Sequence, residues 1–525
     1  MAARGRGATW IVAAMLVAIG ARPTAAGPED LKLPLGFSVT YQMEYSYGES
    51  ELGGSGNNDA ESIFENWLNL DFTRGPVNAG LRVVGFGPPD PVIYPDGPNS
   101  LGVDFGFAEY LGSSFDARGG NFYALFGRGL ALRAYENRSL RVDTNLLGGR
   151  AHGIYGPLEV SGVIGQSVEG NAEDADRGRT EAIAGVDGDL SLPAGFKVGG
   201  SFVTTEVPSL GTETLEPQRL KGARIAKTLL GVDLYGEFAR VDGPATSAGA
   251  PAPNVDGHGL YGSASAAFGR LGLVADFKDY DEVVFNNAAG IAYILPPAAL
   301  REHQYNLLNR HPHQLDTSDE IGFQIEATYN TEAITERGKT SFLGNWSLTR
   351  NHEPEVQQGN HFDDVYVEIQ QELGGDKVAV GGLSYQRSYD APTPDPLLAL
   401  WTPVADLRMP VGERHGLHLQ YEHQHASSDR LGSFDTDFWV IEGTRSPNLT
   451  ASILIEHSNK SELQLELQNE SNYQFLAGEI SYQLFQRHDI TFFYGARNAG
   501  FVCVGGVCRF EPAFDGAELR LTTRF

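Results

Sequence analysis

The stretch 281–318 gathers the side chains best suited to chemistry. Within nearly forty residues it holds Pro296-Pro297, Arg301, His303, Arg310, His311 and His313, and it is richer in basic and His residues than the acidic chain around it. Guanidinium and imidazole groups on one connection suit charge-tuned passage of anions. A connection this long is rarely idle. The expectation is a loop that folds inward as a constriction or lid, its basic groups facing permeating anions. A cap packed over an outer mouth is the equal alternative. A second basic group comprises Arg128, Arg133, Arg138, Arg141 and Arg150, with Glu136 and Asp143 among them. Arg141, Asp143 and Asn145 share the parity opposite Leu140 and Val142, which directs them toward a watery interior. There they either tune ion selectivity or hold an inner wall together through Arg–carboxylate ladders, the ladder being preferred.

Other constellations lead less far. His415, His418, His423 and His425 crowd one run, and spacing of i and i+2 can bring two imidazoles to one metal. His423 and His425 share the apolar face of Leu417 to Tyr421, so an interfacial girdle is preferred and neither metal nor other cofactor is expected. Ser, His and Asp are plentiful, as in barrel-rim hydrolases, yet no short motif singles out a set. A nucleophile needs a base within hydrogen-bond reach, so no catalytic residue is assigned and an enzyme is not expected. Cys503 and Cys508 enclose Val504-Gly-Gly-Val507, and two Cys so close in an oxidising compartment should form a disulfide. Closing so short a loop gains little entropy, so its value is local rigidity.

These residues need a scaffold, and the sequence writes it in period two. The chain ends Ala517-Glu-Leu-Arg-Leu-Thr-Thr-Arg-Phe525, where Leu519, Leu521 and Phe525 fall on one face and Glu518, Arg520 and Arg524 on the other. Phe37, Val39, Tyr41, Met43, Tyr45 and Tyr47 alternate with polar residues in the same manner. So do Leu101, Val103, Phe105 and Phe107, then Ile321, Phe323, Ile325, Ala327 and Tyr329, then Ile490, Phe492, Tyr494 and Ala496. Short turns such as Arg74-Gly-Pro76, Gly269-Arg-Leu271 and Gly374-Gly-Asp376 alternate with longer polar stretches. Short periplasmic turns, long external loops and a closing aromatic strand are the form of an outer-membrane barrel. The fold class expected is all-β: a transmembrane up-and-down antiparallel barrel, even in strand number, with about 22–24 strands and inward-folded loops. The part 110–153 carries the parity poorly and is the place for an inward piece.

Composition agrees. Hydrophobic residues make up 41% and charged residues 20%, yet there are 28 Phe, 21 Tyr and 64 Gly, as expected when half of each strand faces water. After Trp10–Ile19 no apolar run approaches the ~20 residues of a spanning helix. Residues 1–26, with Arg4 and Arg6 before that run and Thr24 and Ala26 before Gly27, read as a signal peptide. Residues 27–525 then form one barrel domain, with no room for an N-terminal plug or passenger. A net charge of -28 argues against nucleic acid. The partners expected are outer-membrane lipid and lipopolysaccharide, the barrel-assembly machinery, and a periplasmic or surface protein if the barrel serves as an anchor.

Asn121-Phe-Tyr-Ala-Leu-Phe-Gly-Arg-Gly-Leu130, Leu132-Arg-Ala-Tyr-Glu136 and Leu140-Arg-Val-Asp143 resemble the N-terminal signature of an uncharacterised bacterial outer-membrane family, a domain of unknown function. Leu295-Pro-Pro297, Leu307-Leu-Asn-Arg-His-Pro-His313, Gly322-Phe-Gln324 and the tail with Cys503, Cys508, Arg509 and Phe510 are similar to it as well. The resemblance implies a barrel in the outer membrane and carries over no catalytic residues. The function expected is a porin-like channel for passive passage of small solutes or ions. The alternatives are a structural sheath or anchor for a partner or export machine, then a barrel-rim hydrolase. An empty barrel of this size would breach the permeability barrier, so 281–318 first, and 87–100 second, are expected to occlude it.

Overall fold

A computed structural model describes residues 36–50, 61–88, 99–168, 178–206, 217–247, 250–287, 290–335, 338–352, 361–389, 398–428, 432–459 and 474–525. The expected signal peptide and most of the 87–100 connection lie outside the described residues. Among those described, 24 antiparallel strands form one sheet. The first strand, Phe37–Ser50, pairs with the last, Phe514–Arg524, from Thr40 opposite Arg524 to Ser50 opposite Phe514. Val39 and Phe525 add two main-chain hydrogen bonds of 3.1 and 2.9 Å beyond that ladder. The sheet therefore closes on itself and has no edge.

Strands run from 8 to 19 residues, enough in nearly every case for the ~9–11 that a tilted strand needs to cross a bilayer. Among the described residues, one end of the barrel carries tight turns. Gly75, Gly156, Gly269 and Gly375 hold φ of 59°, 63°, 63° and 59° in them, which an L side chain would resist. Turns of this hand match the twist of the strands they join. No described helix is long and apolar enough to cross a membrane.

Cross-strand partners share a face, which assigns inside and outside. Leu519 lies opposite Tyr45 and Phe492, and Leu521 opposite Met43 and Ile490; Tyr45 and Phe492 are exposed on the outer face. Next to Leu519, Glu518 turns inward and pairs with Arg497 at 2.8 Å. Ile325 and Tyr329 are likewise exposed, while Glu320, on the opposite parity of the same strand, is buried. A closed cylinder with such an apolar exterior belongs in lipid, and the protein is an outer-membrane barrel.

The parity read for 101–107 breaks in the middle. Leu101 and Val103 are exposed outside, but the register shifts so that Val83 faces Val103 while Arg82 faces Phe105. Phe105 is thereby turned into the lumen, where Tyr123 stacks on it at 5.3 Å and Arg82 lies 5.4 Å from its ring centre. One extra residue in a strand exchanges its faces, and alternation alone does not reveal where that happens.

Stretch 110–153 resolves into two wall strands, Phe115–Phe122 and Leu146–Tyr155, paired with each other. The residues between them, 123–145, leave the wall and enter the lumen. There they meet 282–318, the connection between Leu271–Asp281 and Asp319–Thr335. The largest apolar cluster among the described residues joins Phe126, Leu130 and Leu132 of one segment to Phe285, Tyr293 and Ile294 of the other. Ile183, Val203, Leu220 and Val241 of the wall complete it. Gly259 makes room for this contact, since a Cβ there would lie 2.9 Å from Leu130 Cδ1.

Leu519→Arg should cost the folded barrel about 2–4 kcal/mol, as expected for a cation on the lipid face near mid-bilayer. Thr522→Arg, on the inner face of the same strand, should leave stability unchanged. Denaturant titration in lipid vesicles measures both, and equal losses would contradict this assignment of faces.

Candidate functional site

The lumen is crossed by segment 282–318. Its neck is closed by Glu282 and Val283, whose N–H groups donate to Ser318 and Thr317 carbonyls at 2.7 and 2.9 Å. Its first half lies against segment 123–145: Arg133 N–H donates to the Tyr293 carbonyl at 2.8 Å, and Leu295 N–H to that of Gly129 at 3.0 Å. Its second half reaches wall strands far away in sequence. Asn306 and Leu307 at a short 3-10 turn donate their N–H groups to the Glu422 carboxylate at 3.0 and 2.7 Å. Gln424 and Gln386 side chains donate to the Leu307 and His311 carbonyls at 2.8 and 2.6 Å.

The basic residues singled out in this segment are tied to the wall one by one. Arg301 pairs with Glu326. His303 Nε2 lies 2.8 Å from Asp364, and His313 Nε2 2.8 Å from Glu320. Arg310 forms a two-pronged pair with Glu456, both contacts at 2.8 Å. These side chains act as anchors, each meeting a carboxylate where it sits. Glu320 also binds Lys278, which is wholly buried in the neighbouring strand. Tyr305 lies buried among these anchors, and burial pushes its phenol up to about 12, so it stays neutral.

Segment 123–145 is anchored in two directions. Toward one wall, the Arg128 N–H donates to Glu237 at 2.8 Å. The Arg128 guanidinium donates to Tyr261 and Ser263 hydroxyls at 3.0 Å each. Arg133 lies 5.0 Å from the Tyr135 ring centre. Toward the first strands, Arg138 reaches Gln42 and Glu136, and Arg141 reaches Glu65. Glu136 also receives Arg82 at 2.9 Å. Asp143 accepts from Asn145 and, at 3.2 Å, from the Tyr123 hydroxyl. Burial, reinforced by Asp143 and Glu136, holds the Tyr123 phenol protonated well above its ordinary range. Arg150 sits on the wall strand and donates to Glu109 at 2.9 Å.

The disulfide loop forms a third insertion. Residues 500–511 form a hairpin with Cys503 opposite and bonded to Cys508. Its tip touches segment 282–318, the Leu315 N–H donating to the Gly506 carbonyl at 2.9 Å. The histidines of strand His415–Ser428 divide by face. His423 and His425 point outward to Asp437 and Asp435 at 2.9 and 2.7 Å, while His418 points inward to Asp406 at 2.9 Å. Among the described residues no cluster of three such side chains is placed to hold a metal.

Between these insertions and the first and last wall strands a chamber of about 430 Å³ remains. Six Arg and seven carboxylates line it, among them Arg82, Arg138, Arg141, Arg497, Glu65 and Glu518, so its charges nearly cancel. Trp67 forms part of its wall, with Arg138 5.1 Å from the ring centre. Arg141 and Asp143 of the expected set lie here; Arg301, His303, Arg310, His311 and His313 do not. The strand residues Arg82, Glu65, Arg497 and Glu518 were not foreseen. Their inward parity was legible, but which part of the lumen would stay open was not.

The translocation pore of the P pilus usher PapC is similar at 10% identity and a TM-score of 0.43, over 93% of this chain and 99% of that one. PapC in an E. coli P pilus tip assembly intermediate gives 10% identity and a TM-score of 0.53, over 93% of this chain and 60% of that one. OccK5 (OpdH) of Pseudomonas aeruginosa gives 14% identity and a TM-score of 0.37, over 67% of this chain and 93% of that one. At such identities the likeness is one of fold, a large barrel. No curated protein matches the chain at a significant level. The model of the "Family of unknown function (DUF6029)" matches residues 8–525, and the chain belongs to that family.

Proposed function

We propose that this barrel is a narrow, charge-lined channel for small polar solutes or ions, and that passage runs through the chamber beside the first and last strands. The observation that carries this reading is the chamber itself. Beside the three insertions seen among the described residues, about 430 Å³ remains, walled by both signs of charge. A solute there exchanges water for guanidinium and carboxylate groups, and selectivity follows from pore charge and width. Arg301, His303, Arg310 and His313 are anchors in this reading, because each meets a wall carboxylate. Since carboxylates outnumber Arg by one in the chamber, a modest preference for cations follows. No covalent step is invoked. Lipopolysaccharide would meet the apolar exterior, and the assembly machinery the terminal strand ending at Phe525.

A second reading, a sealed sheath or anchor for a partner protein, draws on the apolar cluster that bridges the lumen, which a solute path does not require.

Purified protein in planar bilayers should give stable single-channel steps. Replacing 285–315 by a short Gly-Ser linker should raise their conductance several-fold, roughly as expected when the lumen of a large barrel is unblocked. An unchanged step size would sink the occluding role. Across a KCl gradient the wild-type reversal potential should show weak cation preference; clear anion preference would contradict the chamber as the selective region. Glu422→Ala should leave the buried Leu307 N–H without its acceptor, at a cost of about 1–3 kcal/mol. Faster amide exchange across 303–311 would register that loss, and unchanged protection would remove Glu422 as an anchor.

A further inference from the structure

Resting on the channel reading, we propose that the disulfide-closed hairpin 500–511 is the gate of the lumen, a paddle whose displacement joins cavities it now separates. Its strands Gly500–Val504 and Val507–Glu511 pair only with each other, and none of its residues belongs to the 24-stranded sheet. It can therefore move without opening the wall.

Three spaces end on it. Val502 and Arg509 face the chamber of about 430 Å³. Phe501 faces a cavity of about 240 Å³ that also holds Arg310. Cys503, Gly505 and Gly506 close off a further cavity of about 320 Å³ beside Arg301 and His303. The hairpin is the partition among them.

The way it is held suits a gate. At the base, Asn498 donates its amide to Glu456 at 2.7 Å, the same carboxylate that anchors Arg310. At the tip, the Gly506 carbonyl accepts from Leu315 N–H at 2.9 Å, and Gly505 N–H donates to Glu302. A Cβ at Gly506 would lie 2.8 Å from Ala298 Cβ and 2.9 Å from Leu315 Cβ, so only glycine lets the tip seat. The Cys503–Cys508 bond fastens the two arms just behind the tip. When the tip unseats, both arms must swing together, and the chamber opens into the neighbouring cavity.

The test is single-channel recording on the full chain in planar bilayers, with each protein first shown to migrate as a folded barrel in unheated gels. Glu302→Ala and Gly506→Ala should lengthen the time spent in a higher conductance level. Replacing Val502–Arg509 by Gly-Gly should hold the channel there, at roughly twice the wild-type value given the comparable volume added. A silent wild type beside conducting variants supports the gate, closed at rest. If wild type and all variants conduct alike, the gate is overturned and the channel stands. If folded wild type and folded variants are all silent, the channel reading falls and the gate with it.

Discussion

In hydrocarbon no backbone N–H or C=O can go without a partner, and everything else in this molecule follows from meeting that condition. A sheet satisfies it only by closing, which here happens where Phe37–Ser50 meets Phe514–Arg524. Closure at 24 strands encloses a bore far wider than side chains can fill. The chain answers with its own loops. Segments 123–145 and 282–318 and the hairpin 500–511 all leave the wall and turn inward.

Filling a wet, charged bore with polypeptide raises a second difficulty, because each inserted polar group loses water. A buried charge left alone is costly, and one that is paired and hydrogen-bonded is tolerated. The insertions follow this rule closely. Arg310 meets Glu456 with both prongs, His303 meets Asp364, and Arg128 finds two hydroxyls and the face of Tyr235 at 4.2 Å. These pairs fix where each segment crosses. The apolar cluster around Phe126, Phe285 and Ile183 adds a non-directional hold where wall and insertions meet. The uneven placement of these anchors leaves the chamber beside Trp67 and Arg141 open.

The barrel was legible in the sequence because period two leaves no choice of face: Leu519 and Tyr45 point out and Glu518 points in, as the alternation requires. The length of 281–318 marks it as more than an idle connection but leaves an inward course and an outer cap equal, and the poor parity of 110–153 marks only the region where a piece could leave the wall. What was hidden is the pairing across the lumen. Nothing local to Arg301 or His313 says that Glu326 or Glu320 will meet them, since such contacts depend on how 24 strands are arranged around the bore. The bulge that turns Phe105 inward was hidden for a different reason: one inserted residue changes no composition and no period beyond its own position. Period two alone does not turn Ile183, Val203 and Leu220 inward, because apolar residues on a barrel strand are expected to face lipid.

The claim on which the account rests is that solute passes beside segment 136–143, through the chamber it shares with the first and last strands. Ser139 is exposed there, and the native cysteines are both bonded, so Ser139→Cys offers the single reactive thiol. Labelling it with a charged, membrane-impermeant thiol reagent during bilayer recording measures the claim directly. The account predicts that each labelling event lowers the current in a discrete step. A current that stays constant while mass analysis shows complete labelling would contradict it.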